Sequence, residues 1–276
     1  GEGEGEGGPG TGHWALSTGH SVCSPPMPPA PWYATFHSFT LDHAIALAWT
    51  VPLIAVSCWL GRRWIVRGTT ESISREKQLC AAWAGFIVCV NVWSIFHWLQ
   101  PEHYDIRRSL PLHMCDIGML LAPLLFLTHW RPIRAIMYFW GIGLSTQAFV
   151  SPILVEGVAE PRYWIFWLGH LAIVGSAVYD LIVRRFRPTI RDCVTTTLIT
   201  IAWYAGVGVL NVCLGSNYGY NGNVVPDRPT VIDRLGPWPA RVFILAGIAI
   251  AWFGVLWVVW PLSDRLRGRT RSTPSL

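Results

Sequence analysis

Residues 240–260 read ARVFILAGIAIAWFGVLWVVW and contain a single charged residue, Arg241. A helix that crosses the hydrocarbon core of a bilayer needs about 20 consecutive, mostly apolar residues. A helix that is apolar on every side belongs in a large protein core or in a membrane, because it has no polar face for water. This stretch therefore predicts a transmembrane helix.

The composition of the whole chain extends this conclusion. Among its 276 residues, 52% are hydrophobic and 13% are charged, against roughly 25% charged residues in a soluble domain. The 17 tryptophans suit a bilayer, because indole rings favour the headgroup boundary. The net charge of +5 does not indicate nucleic-acid binding, since the sequence has no basic stripe with interleaved aromatic residues. We therefore expect membrane lipids as partners, no nucleic acid and no cofactor, and the oligomeric state is left open.

Seven apolar stretches meet the length that a membrane span requires. The fourth of them has the lowest hydropathy, because Gly141 and Gly143 dilute it. The chain is therefore predicted to be an all-α polytopic membrane protein, a bundle of seven transmembrane helices. The predicted spans are residues 41–60, 79–99, 110–128, 133–151, 163–182, 193–214 and 240–260.

The distribution of basic residues predicts how the chain is oriented. Fifteen of the 21 Lys and Arg residues lie on one side of the predicted spans, and loops rich in these residues face the cytoplasm. The N-terminus is then outside and the C-terminus is cytoplasmic, in a multi-pass protein of the plasma membrane. We expect residues 1–38 to be a disordered, low-complexity extension, residues 39–262 the transmembrane domain, and residues 263–276 a short basic tail.

Polar side chains collect near the outer ends of the predicted helices. Such side chains are costly inside a bilayer, so their positions point to function. Counted at about 1.5 Å per residue, groups from several helices reach one level of the outer leaflet, where we expect a cavity. The outer loop after the sixth helix could fold over its mouth. The candidates are His113, Cys115, Asp116, Gln147, Trp167, His170, Asn211, Asn217 and Tyr218.

Helical spacing divides these candidates between faces. His113 and Asp116 are i, i+3 neighbours and can face one cavity. Cys115 follows His113 by two residues and points roughly to the opposite side. If Cys115 is a nucleophile, its base should therefore come from another helix, and His170 is the candidate. Trp167 shares one face of the fifth predicted helix with His170.

Five phrases occur together in an order and spacing that resemble a known family. They are SLPLHMCDIG (109–118), WGIGLSTQAFVSP (140–152), FWLGH (166–170), GSNYGY (215–220) and LGPWP (235–239). Over about residues 40–260 the chain resembles the YwaF-like family of bacterial integral membrane proteins. That family is distantly similar to eukaryotic transmembrane protein 164, a lipid acyltransferase thought to work through a cysteine in its third helix.

This resemblance implies acyl transfer between phospholipids through a thioester. The eukaryotic proteins have Cys directly followed by His after a Pro, whereas this chain reads PLHMCD from Pro111 to Asp116. Either Cys115 or His113 could therefore occupy the reactive position. His170 matches the histidine of the fifth helix. The candidate catalytic residues are Cys115, His170, His113 and Asp116.

Three kinds of function remain open at this stage. In the first, a cysteine lipid acyltransferase, Gln147 or Asn211 would stabilise the oxyanion. The second is a metal-dependent intramembrane hydrolase with His113 and Asp116 among its ligands, although the last predicted helix contains no histidine. The third is a non-enzymatic transporter or receptor whose outer cavity binds a small or lipidic ligand. The first is the interpretation we favour.

Overall fold

The computed structural model describes residues 33–223 and 231–271, and these ranges are helical except for loops and one isolated bridge. A π helix (Met137–Ser145) joins α4 to α5, and short 3-10 helices cover Tyr218–Tyr220 and Val231–Leu235. The α-helices are α1 (Leu41–Arg67), α2 (Thr70–Leu99), α3 (Met114–Thr128), α4 (Arg131–Ile136), α5 (Gln147–Val150), α6 (Pro161–Ile182), α7 (Ile190–Leu214) and α8 (Ala240–Arg271).

The predicted all-α membrane fold is confirmed. Within the described ranges, five helices are long and apolar enough to cross a bilayer, namely α1, α2, α6, α7 and α8. Helix α3 is apolar but only 15 residues long. It begins at Met114 rather than at the predicted residue 110, because Pro111 and the residues around it form a turn before the helix.

The fourth predicted span is not one continuous α-helix. It is divided into α4, the π helix and α5. A side chain at Gly141 would come within 2.8 Å of Ala177, and one at Gly143 would come within 2.8 Å of Leu256, so both glycines allow close approach of neighbouring helices. The indole of Trp252 donates to the carbonyl of Gly143 at 2.9 Å. That bond satisfies a carbonyl group in a region where a lipid-exposed one would be costly.

Several helices extend beyond their apolar cores. Helix α1 continues to Arg67, where Gly68 ends it in the left-handed conformation with φ 66°. Helix α2 begins at Thr70, and the side chain of Thr69 caps it by accepting from the N–H of Ser72 at 3.2 Å. Helix α8 runs on through part of the predicted tail, to Arg271.

The ordered fold begins earlier than the predicted boundary of the N-terminal extension. The N–H of Phe36 donates to the carbonyl of Val155 at 2.7 Å. The Phe36 ring is 2% exposed and lies 5.9 Å from the Trp167 ring. One buried aromatic side chain therefore holds residues 33–38 against α6. The earlier part of the predicted extension lies outside the described residues.

Helix α6 lies at the centre of the bundle. In its most apolar stretch, 61% of the residues are buried inside the protein, against 6% in α8. Small residues bring α6 and α3 together, since a side chain at Gly169 would contact Met119, and one at Gly118 would contact Ile173 at 3.4 Å. The two helices that carry the predicted Cys115 and His170 are thus in direct contact.

Candidate functional site

The start of α3 positions the first group of candidate residues. His113 is the N-cap residue, in an extended conformation, and Asp116 is the third residue of the helix. The carboxylate of Asp116 accepts from the backbone N–H of His113 at 2.9 Å. This bond satisfies a backbone donor at the helix start, as in a capping box. Asp116 therefore fixes the point at which α3 begins.

Cys115 is the second residue of α3 and is a free thiol. Unpaired N–H groups and the helix dipole make a helix N-terminus favourable for negative charge. Burial of the Cys115 thiol opposes its ionisation more strongly than the neighbouring backbone N–H groups favour it. A nucleophilic role for Cys115 therefore requires a base that takes the proton as the sulfur attacks.

Hydrogen bonding indicates which nitrogen of His113 carries the proton. The N–H of Gly219 donates to its Nδ1 at 3.3 Å. Since Nδ1 is an acceptor, the proton of the neutral ring lies on Nε2. The ring packs against Tyr218 and Tyr220, with centroids 5.5 and 5.6 Å away. His113 can thus donate from Nε2.

His170 has the opposite arrangement. Its Nδ1 lies 2.7 Å from the carbonyl oxygen of Phe166, one turn earlier in α6. A carbonyl can only accept, so Nδ1 carries the proton and Nε2 keeps a lone pair. The ring also lies 4.3 Å from the Phe166 ring. Among the described residues no hydrogen bond occupies Nε2, which leaves it able to accept a proton.

Five ionisable side chains lie deep in the protein and yet remain accessible. Each is surrounded by protein atoms but keeps part of its accessible surface. They are His113, Cys115, Asp116, His170 and Tyr220. Four of them lie together, because the His113 ring packs on the Tyr220 ring and the charges of Cys115 and Asp116 act on Tyr220. Within the described ranges, no hydrogen bond or ion pair links Cys115 to His170, so a nucleophile–base contact would have to form in the reactive complex.

The loop after α7 folds back over the start of α3. The Tyr218 hydroxyl donates to the carbonyl of Ile106 at 2.7 Å and accepts from the N–H of Leu110 at 3.0 Å. Its side chain is 1% exposed. Asn217 accepts from the N–H of Gly222 at 2.9 Å and closes the loop. Asn217 and Tyr218 therefore shape the site by holding the loop, while their polar groups are already engaged.

Asn211 is committed to the same loop. Its Nδ2 donates to the carbonyl of Tyr218 at 2.8 Å. Its Oδ1 accepts from the N–H of Tyr218 at 2.8 Å and from the hydroxyl of Ser216 at 2.7 Å. The side chain is 3% exposed. The structure thus corrects the expectation that Asn211 is a free oxyanion donor, because both ends of its amide are occupied.

Gln147 and Trp167 also differ from expectation. Gln147 is exposed on the surface of α5, and its side chain forms no hydrogen bond within the described part of the chain. Trp167 is 0% exposed and stacks with Phe149 at 6.0 Å in an aromatic cluster. Neither side chain reaches the polar group around Cys115, since α5 turns Gln147 outward and neighbouring rings enclose Trp167.

Tyr220 is a site residue that helical spacing does not reveal. It follows Gly219, and both have left-handed backbones with φ 59° and 62°. Trp203 packs over Gly219, where a side chain would lie 2.6 Å from its ring. Burial raises the pKa of Tyr220, and nearby Cys115 and Asp116 raise it further. The Tyr220 phenol therefore stays protonated at neutral pH and can donate a hydrogen bond.

Two buried donors next to this loop lack acceptors in the described structure. They are the indole nitrogen of Trp203 and the hydroxyl of Tyr204. Buried polar groups are normally hydrogen-bonded, so such exceptions mark places where water or a ligand completes the structure. Their signal in the sequence was weak, because aromatic residues near the end of an apolar helix are ordinary in a membrane protein.

The opposite end of the bundle carries buried ion pairs that the sequence analysis missed. Arg134 donates from Nε to both carboxylate oxygens of Asp180, at 3.1 and 2.9 Å. Glu76 lies 3.6 Å from Arg184 and accepts from the hydroxyl of Tyr179 at 3.1 Å. Acidic residues at the ends of apolar helices, opposite Arg-rich loops, were the available signal. Every one of these charges has a partner, which indicates a structural role.

The described residues contain no group of three or more His, Cys, Asp or Glu side chains placed to hold a metal ion. His113 and Asp116 meet at the start of α3, but the contact between them joins the Asp116 carboxylate to the backbone N–H of His113. The pair is therefore used in capping the helix.

Comparison with known proteins places the chain in a family. An uncharacterized protein of Treponema pallidum (strain Nichols) is 30% identical over 113 residues, which is 41% of this chain and 47% of that protein. The chain thus spans less than half the length of this curated relative. No solved structure matches. A family model matches residues 36–257, and this range includes every candidate site residue. The chain therefore belongs to the TMEM164 family.

Proposed function

We propose that the protein is a membrane-embedded enzyme that transfers acyl groups between lipids, with Cys115 as the nucleophile. The observation that carries this proposal is the position of Cys115. A free thiol lies at the N-terminus of α3, next to a proton-donating His113, and α3 packs against α6, which carries a proton-accepting His170. Membership of the TMEM164 family and the apolar spans agree with a lipid substrate.

The reaction divides into two transfers. The Cys115 sulfur attacks the ester carbonyl of a donor lipid while Nε2 of His170 takes the thiol proton. The C–O bond of the tetrahedral intermediate then breaks, a thioester forms, and His170 returns the proton to the leaving alkoxide. An acceptor lipid hydroxyl reverses these steps, giving its proton to His170 as it attacks the thioester. The thiol is regenerated when the sulfur leaves and is protonated.

The oxyanion of each tetrahedral intermediate needs donors. Asn211 is occupied and Gln147 is exposed, so we assign this role to Nε2 of His113 and the hydroxyl of Tyr220. Both can donate, Tyr220 lies near Cys115, and the His113 ring packs on Tyr220. Donors fixed before the reaction begins stabilise developing charge without reorganisation.

The direct test is a lipid-transfer assay in proteoliposomes. Purified protein would be supplied with a phospholipid carrying a fluorescent acyl chain and with an unlabelled lysophospholipid, and transfer of the label would be followed by chromatography. We expect Cys115→Ala to abolish transfer. Cys89→Ala is the matched control, because Cys89 is a free and exposed thiol on α2. Full transfer by Cys115→Ala would contradict the proposal.

Two histidine variants test the assigned roles without disturbing the fold. Asn has a polar atom near the position of His Nδ1 but nothing at Nε2. His170→Asn can therefore keep the contact with the Phe166 carbonyl, and His113→Asn can keep the acceptor for the Gly219 N–H. We expect both variants to fold and to lose transfer. With a thiol-reactive lipid analogue, His170→Asn should slow alkylation of Cys115, whereas His113→Asn should not.

We also propose that the site opens toward the extracytoplasmic side of the plasma membrane, with the N-terminus outside. The excess of Lys and Arg in the opposite loops supports this orientation. The test is labelling of intact cells with a membrane-impermeant maleimide. In a background without other reactive cysteines, Ser38→Cys should react and Ser263→Cys should not. The reverse pattern would place the site on the cytoplasmic side.

A further inference from the structure

A groove runs between α7 and α8 on the outer surface of the bundle. Its volume is about 410 Å³, which falls in the range of small-molecule sites. It lies at the same end as the loop after α7. Its walls come from one face of α7, the start of α8, the two residues before α8 and one residue of the loop after α7. The lining residues are Ala205, Gly208, Val209, Val212, Cys213, Asn221, Trp238, Pro239, Val242 and Phe243.

The groove is apolar along its length and polar at one end. Val209, Val212 and Phe243 are 65%, 68% and 75% exposed, so they face the surroundings and not a protein core. The polar end is formed by Asn221 and Trp238, whose indole N–H donates to the carbonyl of Asn221 at 3.3 Å. Because the Asn221 amide and the Trp238 indole already have partners in the protein, the groove selects the hydrocarbon portion of a molecule.

The surroundings of the groove specify what enters it. In the most apolar stretches of α7 and α8, only 17% and 6% of the residues are buried inside the protein. In a membrane-spanning chain, residues exposed at such positions contact lipid tails. Trp238 carries an indole of the kind that favours the headgroup boundary. The groove therefore opens to lipid along its apolar walls, and its polar end lies where a lipid's ester groups begin.

We propose that this groove binds one acyl chain of a membrane lipid and is the lateral entrance to the site. The second part rests on the proposed function, since it identifies the bound chain as that of the substrate. Only a short piece of the chain connects the groove with the candidate site. Asn221 lines the groove, and its neighbour Tyr220 lies near Cys115 and Asp116. A single loop segment thus separates the apolar groove from the reactive group.

That segment is held from both sides. The Asn221 side chain donates to the carbonyl of Tyr204 on α7. Arg241 at the start of α8 is 0% exposed and donates to the carbonyl of Gly222 at 2.6 Å. The loop is therefore a wall of fixed position against which one chain could be aligned, with its ester group near Tyr220.

The test uses a phosphatidylcholine with a photoactivatable diazirine in one acyl chain, mixed into proteoliposomes that contain the full-length protein. After illumination, labelled peptides are mapped by mass spectrometry. We expect labelling to concentrate on the α7 and α8 residues of the groove. Val209→Trp should fill the groove and remove this enrichment, and Val212→Trp is a second variant of the same wall. Both residues are exposed, so the folded bundle has space for the larger ring.

Leu198→Trp is the matched control. Leu198 is 61% exposed on α7 and lies three turns before Val209 on nearly the same face, outside the groove. It should leave the labelling pattern unchanged. Labelling spread evenly over all lipid-facing helices, or labelling that survives both groove variants, would overturn the proposal.

Two further measurements keep this inference separate from the proposed function. Cys115→Ala should retain the groove labelling even though transfer is lost, because binding of the chain does not need the thiol. Val209→Trp should reduce transfer of long acyl chains more than transfer of short ones. If Cys115→Ala keeps transfer but the groove is labelled, only the mechanism fails. If transfer needs Cys115 but the groove is not labelled, only the entrance fails.

Discussion

Replacing Asn211 with Ala should loosen the loop that covers the candidate site while the bundle stays folded. The Asn211 amide makes three buried hydrogen bonds, two to the backbone of Tyr218 and one to the hydroxyl of Ser216, at 2.8, 2.8 and 2.7 Å. Ala removes all three. It leaves the N–H and carbonyl of Tyr218 without these partners, in a part of the protein that is closed to water.

The magnitude follows from the number of bonds. A buried hydrogen bond contributes about 1 kcal/mol net, so the three together contribute about 3 kcal/mol to the closed loop. Since every 1.4 kcal/mol changes an equilibrium constant tenfold, the population of the open loop should rise about 100-fold. Amide hydrogen exchange measures this population when opening is faster than exchange. The amides of Tyr218 and Gly219 should therefore exchange about 100-fold faster.

Hydrogen exchange with mass spectrometry, on protein in lipid nanodiscs, is the assay. Asn91→Ala is the control, since Asn91 is also a buried amide, 8% exposed, but donates to the carbonyls of Ile87 and Met119. It should weaken the contact between α2 and α3 without changing exchange in residues 216–222. Wild-type exchange rates in Asn211→Ala, or equal acceleration by both variants, would refute the role that we give to Asn211.

Two further predictions concern the half of the bundle that lies away from the candidate site. Asp180→Ala should lower the free energy of unfolding by about 3–5 kcal/mol, because it leaves Arg134 without its partner in a mostly buried position. Denaturation in mixed micelles measures this loss. A loss below about 1 kcal/mol would contradict the prediction. Gly61→Ala should destabilise the protein by about 1–3 kcal/mol, because its Cβ would overlap the hydroxyl of buried Tyr179. The matched variant Gly85→Ala has nothing within 4 Å of its Cβ and should be neutral or stabilising. Equal changes in melting temperature for the two glycine variants would contradict the packing argument.

The sequence predicts the helices well where composition alone controls them. Residues 240–260 must be helical in a bilayer, because no other structure satisfies their backbone there, and α8 confirms this. The prediction fails where packing controls the backbone. Gly141 and Gly143 lower the hydropathy of the fourth span. Hydropathy does not reveal that neighbouring helices approach these glycines closely, or that this part of the span is a π helix. Nor does it show that Thr69 and Gly68 allow α1 and α2 to continue past the apolar region.

The same division applies to the candidate site. Depth counting predicted that His113, Cys115, Asp116 and His170 lie at one level, because depth along a helix depends only on residue number. It could not say which polar groups stay free. Asn211 looked like a donor for a ligand, yet loop atoms seven residues away or less occupy it completely. Loop conformation determines that outcome, and helical periodicity carries no information about it.

The protonation pattern of the site is a product of this loop geometry. A transfer reaction at a neutral site needs one group that accepts a proton and another that donates a hydrogen bond. Two histidines can fill these two roles only when their surroundings differ. The Phe166 carbonyl keeps the proton of His170 on Nδ1, and the Gly219 N–H keeps that of His113 on Nε2. The loop after α7 therefore does more than cover the start of α3. Without it, His113 would be free to adopt either tautomer.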